Sequence, residues 1–284
     1  MKNFYCLYNS VKTDSDGVQG RISFLSKTCD EKKVNFVLLD ESKIDFSELP
    51  ILTEDDGLYN CARGSELFEC IMLNNRARTF YKKFPGTDVF RNSAQVSVLH
   101  RHNNISIPLT IYSGTNNRTL LEKYVNHLKG FPLILKIYGG SLGVGVMMAN
   151  DWTTLYCITD HLTATKTPFA LKQFIPSDSC ERLVVLGNEV IAGDCKPNKD
   201  NDCRSDGTKA FHREYSKNVR DLAVAATNRV NLELAGVDII IDKNTGIPYV
   251  LEVNFPFNFV PTQEISGVDI AGKMIDYLMR KKEY

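Results

Sequence analysis

The segment LAGVDIIIDKNTGIPYVLEVNFP, residues 234–256, constrains this chain more than any other. GVDIIID is rich in β-branched residues, Asn244-Thr245-Gly246 supplies turn chemistry, and PYVLEVN resumes the extended pattern. The segment therefore reads as two strands joined by a short turn. Side chains alternate faces along a strand, which sends Glu252 and Asn254 to one side and Leu251 and Val253 to the other. A buried charge without a partner is costly, so the polar side needs a metal, an Arg or a Lys, or else water. If Asp238 pairs with Glu252, the two share a face; a register one residue off turns Asp238 away. In the first register Asp238, Glu252 and Asn254 form a hard-oxygen patch. Such a patch suits Mg²⁺, which leaves coordination sites for water and phosphate oxygens. A structural hairpin with its polar residues solvated at a sheet edge is the competing reading, and the hairpin alone does not decide between them.

A chain of 284 residues, 43% hydrophobic and 24% charged, has the makings of a globular core in one large or two to three modest domains. Lys+Arg and Asp+Glu both number 34, a balance that argues against a general nucleic-acid binder. No apolar run is long enough for a membrane span, and the start, MKNFYCLYNSVKTDSDG, lacks the apolar centre of a signal peptide. The eight Cys show no C-x-x-C pair and no zinc-finger spacing, so they are expected to be reduced thiols of a cytoplasmic protein. Cys195 and Cys203 fall in a polar stretch and are expected to be the exposed ones. The five His do not cluster, and no Cys–His or Ser–His pairing suggests a nucleophile.

The chain opens with a β-α-β pattern: strand Phe4 to Tyr8, helix Val18 to Lys33, strand Val34 to Leu39. Strands are expected at Leu58 to Ala62 and Ala77 to Tyr81, with a helix at Ser65 to Leu73 between them. The first domain should end near residue 90. A short helix at Ala94 to His102 and a strand start at Ile107 follow. Arg118 to Lys129 is amphipathic and should end at Gly130. Phe131 to Tyr138 is a strand carrying Lys136. Further on come a helix over Asp151 to Thr165, a strand over Phe169 to Ile175, and a hairpin LVVLGNEVIA about Gly187-Asn188. Residues 194–214 lack periodicity and read as a functional loop. Helices over Tyr215 to Asn231 and Val268 to Met279 flank the opening hairpin.

GGSLGVGVMM, residues 139–148, follows the strand of Lys136. Glycines let the backbone approach a ligand closely, and consecutive free N–H groups can cradle phosphates. The stretch is neither a P-loop nor a dinucleotide fingerprint, since no Gly-Lys-Ser/Thr closes it and no helix pattern begins there. It reads as a hairpin flap over phosphates, against the plainer alternative of a glycine-rich hairpin with a surface lysine beside it.

In this order the pieces resemble the ATP-grasp superfamily, and within it the RimK-type branch with its LysX-type relatives. The resemblance runs from about Asn92 to the end. Its carriers are Leu133-Ile134-Leu135-Lys136 with Gly140-Ser141-x-Gly143-x-Gly145-Val146; Gln173-Phe174-Ile175; Arg182 before the LVVLGNEVIA hairpin; Arg204-Ser205; Ala235-Gly236-Val237-Asp238; Leu251-Glu252-Val253-Asn254; and Gly267-Val268-Asp269-Ile270-Ala271. Each is common alone; the seven in this order carry the likeness. It implies a mixed α/β ATP-grasp fold with a small N-terminal βαβ domain (1–90), a central subdomain with the flap (91–175) and a C-terminal subdomain (176–284), the nucleotide lying between two sheets.

The resemblance further implies an ATP-dependent carboxylate–amine ligase. Lys136 would meet the phosphates of ATP, and Gly140, Ser141, Gly143, Gly145 and Val146 would cover them. Gln173, Phe174 and Ile175 would form the adenine hinge, with Asp178 near the ribose. Asp238, Glu252 and Asn254 would hold Mg²⁺, or Mn²⁺ in its place. Arg204 would neutralise an acyl phosphate, and Arg182 would line the same cavity. The expected partners are a small-molecule or peptide acid and an amine, with no membrane or nucleic acid. The first ninety residues match no motif and are expected to shape the acceptor site or a homodimer surface. The chain also departs from the family. An Asp-Lys pair usual on the helix after Asn92 is absent, where Gln95 and Arg101 stand. Cys180 replaces an acidic residue usual two positions before Arg182. The aromatic run Phe255, Phe257 and Phe259 replaces small residues and is expected to border a bulky or peptide-like substrate.

Overall fold

The computed structural model describes residues 1–13, 15–62, 64–74, 76–82, 104–138, 144–198 and 209–281. Three sheets follow one another along the chain, in the mixed α/β arrangement expected from the sequence.

The first is parallel, in the order β2-β1-β3, from β1 (Asn3–Tyr8), β2 (Asn35–Asp40) and β3 (Asp56–Asn60). A four-residue helix, α1 (Ser10–Thr13), precedes the crossover helix α2 (Asp16–Glu31). Val18, Ile22, Leu25 and Cys29 recur at helical spacing and are buried, which fixes α2 on the sheet. Helix α3 (Glu66–Met72) follows β3. The strand expected at residues 77–81 does not form. Arg78 makes one bridge to Gly57, and Tyr81 makes another to Leu232 of the C-terminal part. Phe80 O accepts from Glu233 N at 2.7 Å, so this stretch leaves the first sheet to tie it to the third. The helix expected at 94–102 lies outside the described residues.

The second sheet is antiparallel, in the order β4-β7-β5-β6, from β4 (Thr110–Ile111), β5 (Leu133–Ile137), β6 (Val146–Ala149) and β7 (Phe169–Gln173). Helices α4 (Arg118–His127) and α5 (Trp152–Ala164) are capped by Asn117 and Asp151, whose side chains accept from Leu120 N and Thr154 N. They bring Leu121, Val125, Leu155 and Leu162 onto one sheet face, against Leu133, Leu135, Phe169 and Leu171. α4 ends at His127, before the expected Gly130. The left-handed pair Lys129 (φ 70) and Gly130 (φ 89) reverses the chain, with Gly130 N donating to Val125 O at 2.9 Å.

The third sheet, order β10-β9-β8-β11-β12, comprises β8 (Ser179–Leu186), β9 (Glu189–Pro197), β10 (Phe211–His212), β11 (Leu234–Ile241) and β12 (Pro248–Asn254). Helix α6 (Lys217–Arg229) covers one face through Val219, Leu222, Ala223 and Ala226. Part of the other face, with Val184, Leu186 and Ala192, packs on helix α8 (Ile270–Arg280) and on the N-terminal sheet. A single core thus joins Phe4, Leu25 and Tyr59 to Ile270, Met274 and Leu278. Helix α7 (Val260–Ser266) had no periodic signal to announce it. It has Pro near its start and stops at the left-handed Gly267, φ 68. Among the described residues no helix is long and apolar enough to cross a membrane.

The aromatic run has a different place from the one expected. Phe257 and Phe259 are buried in the core shared with the N-terminal sheet, each such side chain contributing roughly 1.5–3 kcal/mol. Phe255 is half-buried, its ring edge-on to Tyr59 and Tyr81 at 5.8 and 5.3 Å. The run is a docking seam between subunits of the fold, and two of its three rings are closed to any substrate.

Candidate functional site

The hairpin adopts the register in which Asp238 pairs with Glu252 and Gly236 with Asn254, and a bulge follows Asp238. The same rung continues through β8 and β9, because Arg182 pairs with both Asp238 and Asp194. Alternation then places Asp194, Arg182, Asp238 and Glu252 in one row across four strands, on one face. The Arg182 guanidinium holds Asp238 by one hydrogen bond, Nη2 donating to Oδ2 at 3.1 Å, with Nε against Oδ1 as an ion-pair contact. Asn254 Nδ2 donates to the same Oδ2 at 3.0 Å. Asp194 accepts from the Thr262 hydroxyl of α7. At Gly236 a Cβ would come within 2.7 Å of the Phe257 ring and 2.9 Å of Arg182 Nη1, so glycine is what admits the guanidinium there.

Charge in this row is partly withdrawn from water. Burial pushes the Asp238 carboxyl upward, the Arg182 cation pulls it back, and Glu252 adds to the rise. For Arg182 the loss of water lowers the pKa but the Asp238 carboxylate outweighs it and leaves it raised. Burial also raises Asp194.

The second sheet supplies the opposing wall. Leu133, Leu135 and Leu171 point into the helix-covered core, so alternation puts Ile134, Lys136, Ala170 and Lys172 on the other face. Lys136 Nζ lies 3.9 Å from Glu252 Oε2, which brings the two sheets together at the row. Lys172 is partly buried on the neighbouring strand; burial first, then the like charge of Lys136, pushes its ammonium down to about 8. The β5–β6 hairpin closes with Ile137 N donating to Gly145 O at 2.9 Å. Gly145 has φ +85, and a Cβ there would sit 2.1 Å from Ile137 Cγ1, so this position requires glycine. Val146 opens β6 opposite Lys136. Gly140, Ser141, Gly143 and Arg204 lie outside the described residues.

Gln173 ends β7, its N–H donating to Leu109 O at 2.8 Å and its side-chain oxygen accepting from Leu109 N. Phe174 is half-buried and Ile175 buried just beyond. Asp178 stands apart: its exposed carboxylate is 4.0 Å from Lys243 Nζ and pairs with no member of the row. Cys195, expected in an exposed loop, is buried because β9 runs on to Pro197. Its thiol is pushed up by burial and touches Glu181 Oε1 at 3.6 Å, the opposite of a reactive thiol. Two residues went unread in the sequence, Asp194 and Lys172. Lys172 was hidden inside FALKQFI, where its spacing of two from Ala170 was the available signal.

The donor set suits a hard cation. Two carboxylates and an amide share one face, and Asn254, whose nitrogen is engaged by Asp238, keeps its amide oxygen as an acceptor. Glu252 and Asn254 with Asp238 behind them fit Mg²⁺, which takes few protein ligands and completes its shell with water and phosphate. Among the described residues no group of three or more His, Cys, Asp and Glu could by itself hold a metal ion.

Residues 91–278 match the model of the RimK-like ATP-grasp domain. A probable alpha-L-glutamate ligase of Enterobacter sp. (strain 638) is 33% identical over 181 residues, 62% of this chain and 59% of the relative. The match thus spans a little over half the relative's length. Two solved structures share the fold over nearly the whole chain. The ATP-grasp ligase PsnB, complexed with a phosphomimetic variant of minimal precursor, Mg and ADP, has a TM-score of 0.70 at 15% identity, covering 98% of both chains. A Chryseobacterium gregarium RiPP-associated ATP-grasp ligase, in complex with ADP and a leader and core peptide, has a TM-score of 0.72 at 12% identity, covering 100% of this chain and 98% of the other.

Proposed function

The chain belongs to the RimK-like ATP-grasp family, and on that footing we propose that it is an ADP-forming carboxylate–amine ligase. The observation that carries the reading is the meeting of Lys136 with the Asp238–Glu252–Asn254 patch across two sheets, 3.9 Å apart at Glu252. A triphosphate laid between the sheets would meet an ammonium on one wall and oxygen ligands for its cation on the other.

In the proposed reaction a substrate carboxylate oxygen attacks the γ-phosphorus, the bond to the β-bridging oxygen breaks, and ADP leaves. The acyl phosphate is then attacked at carbon by an amine, which loses a proton as phosphate departs. Phosphoryl transfer of this kind needs positioning and charge neutralisation more than a side-chain nucleophile. Glu252, Asn254 and Asp238 would hold Mg²⁺, which supplies charge neutralisation at the phosphates. Lys136 would orient the phosphates, with Gly145 and Val146 beside it, and the Gln173–Ile175 hinge would seat the adenine. Arg182 keeps Asp238 ionised and in place. Arg204 would neutralise the acyl phosphate and the tetrahedral intermediate.

The amide product would join an amino acid or peptide amine to a peptide or protein carboxylate. The neighbours of the same fold bound to a minimal precursor and to a leader and core peptide support a peptide substrate, and the glutamate-ligase relative supports an amino-acid one. The described cysteines are all free, which supports a reducing compartment and hence the cytoplasm. ADP release from ATP and Mg²⁺, assayed with pools of amino acids and peptides, tests the reading. Turnover that requires both an acid and an amine is expected, with two molecules joined. Loss of one water within a single peptide would instead identify internal ester or amide cross-linking. Glu252→Gln should lower turnover about a hundredfold or more with the fold intact. Full activity in that variant would refute the assignment.

A further inference from the structure

Helix α2 buries the stripe Val18, Arg21, Ile22, Leu25 and Cys29, and one member of that stripe is charged. Arg21 is 8% exposed, and its Nε is sealed from solvent without a hydrogen-bond partner. Among the described residues no carboxylate pairs with it, whereas Arg182 and Lys281, also withdrawn from water, hold Asp238 and Glu233. A buried cation without an anion costs stability, and an apolar residue at this point of the stripe would avoid that cost.

The first sheet is parallel in the order β2-β1-β3, so the chain winds one way from β1 to β2 and the other way to β3. That reversal leaves a crevice beyond the carboxyl ends of β1 and β3, where open parallel sheets take ligands. As the crossover, α2 starts at this edge, and Arg21 stands in its second turn beside Tyr59 and Cys61 at the end of β3. Burial raises the Tyr59 phenol and the Arg21 cation opposes the rise. The Cys61 thiol is held down by its hydrogen bond with Cys6 against burial, and Arg21 adds to this. Tyr59 Oη is likewise buried without a partner. The crevice adjoins the proposed reaction centre: the Tyr59 ring lies 5.8 Å from that of Phe255, the residue after Asn254. A Cβ at Gly17 would come within 3.0 Å of Asn258 Nδ2, which sets the start of α2 against the same segment. We propose that Arg21, with Tyr59 beside it, is a carboxylate-binding subsite that reads a second carboxylate of the substrate, remote from the one that reacts. This rests on the ligase reading above and names an acidic peptide as the substrate class. A guanidinium and one phenolic O–H match the two oxygens of a carboxylate.

Titration calorimetry on the purified full chain, with ADP and Mg²⁺ present, tests the subsite with synthetic peptides. The probes are acetyl-Glu-Glu-amide, acetyl-Glu-Gly-Glu-amide and acetyl-Glu-Gly-Gly-Glu-amide, each beside the forms in which one Glu is Gln. In wild type a diacid should bind about tenfold or more tighter than both of its single-acid forms. Arg21→Met should bind diacid and single acid alike, Arg21→Lys should recover part of the preference, and ADP affinity should be unchanged in both. Without ligands Arg21→Met should melt at or above the wild-type temperature, because it removes an unpaired buried cation. An Arg21→Met that melts lower and keeps the preference would mark a structural arginine. Should Arg21→Met fail to fold, Arg21→Gln carries the same comparison. A preference that survives in the variant, or a wild type that shows none, would overturn the subsite and leave the nucleotide reading standing. A wild type that binds no ADP would overturn both.

Discussion

Removing Arg182 exposes how the site is held together. Arg182→Met takes the cation from between Asp194 and Asp238 and keeps a side chain of similar length. Asp238 is left with Asn254 as its remaining donor and Glu252 beside it on the rung. Breaking a buried ion pair by deleting one partner costs about 3–5 kcal/mol. Here the Arg182 and Asp238 side chains keep 30% and 18% of their surface in solvent, which screens the orphaned charge and reduces the expected cost to about 2–3 kcal/mol. One kcal/mol corresponds to about 2–4 °C in a chain near this size, so Tm should fall by roughly 4–12 °C. Asp238→Asn in the same background removes the orphaned carboxylate and should restore at least half of the loss. Differential scanning calorimetry of wild type, both single variants and the double variant closes the cycle. If Arg182→Met melts with wild type, or if Asp238→Asn adds its own loss instead of a recovery, the ion pair is not what orders this row.

Phe259→Ala should cost about 3–5 kcal/mol, because the ring is fully buried, while leaving KM for the substrates unchanged in the cold; altered substrate choice without loss of stability would return the ring to the pocket. Asp40 loses water on folding, which raises its carboxyl, but hydrogen bonds from Ser10, Ser42 and Lys43 outweigh this and hold it well below the usual range. Its contribution should be present in full above about pH 4 and fade as the pH falls toward its folded value, so the Tm deficit of Asp40→Asn should be constant from pH 7 to 5 and shrink below 4. A deficit independent of pH would contradict that. Arg204→Ala should lower turnover far more than it weakens ATP binding, read from kinetics beside calorimetry; equal losses would contradict its place at the acyl phosphate.

Local chemistry made the Asp238–Glu252 hairpin legible. The Asn-Thr-Gly turn and the period of two mark the strands and the shared face of Glu252 and Asn254, and the structure selects the register that pairs Asp238 with Glu252. The strand of Lys136 was equally readable as an apolar run, and Gly145 closes the β5–β6 hairpin behind it. What no local pattern could supply was the third dimension. The approach of Lys136 to Glu252 depends on how two sheets stack, and Arg182 met Asp238 only through a strand order that is not sequential. The aromatics were misplaced for the same reason. A run of Phe after a strand suits a pocket and a core alike, and the docking of the N-terminal sheet decides between them. Cys195 was read as exposed because GDCKPN looks like a loop, whereas Arg182 lets Asp194 stay buried and the strand continue.

The central claim is that a nucleotide and its metal lie between Lys136 and the Asp238–Glu252–Asn254 patch. The most direct test is a crystal of the chain grown with ADP and Mn²⁺, with the metal located by its anomalous signal. The account predicts a peak at about 2.1 Å from oxygens of Glu252 and Asn254, phosphates beside Lys136, and adenine against Gln173–Ile175. A nucleotide bound elsewhere, or a metal peak that avoids Glu252, would contradict it.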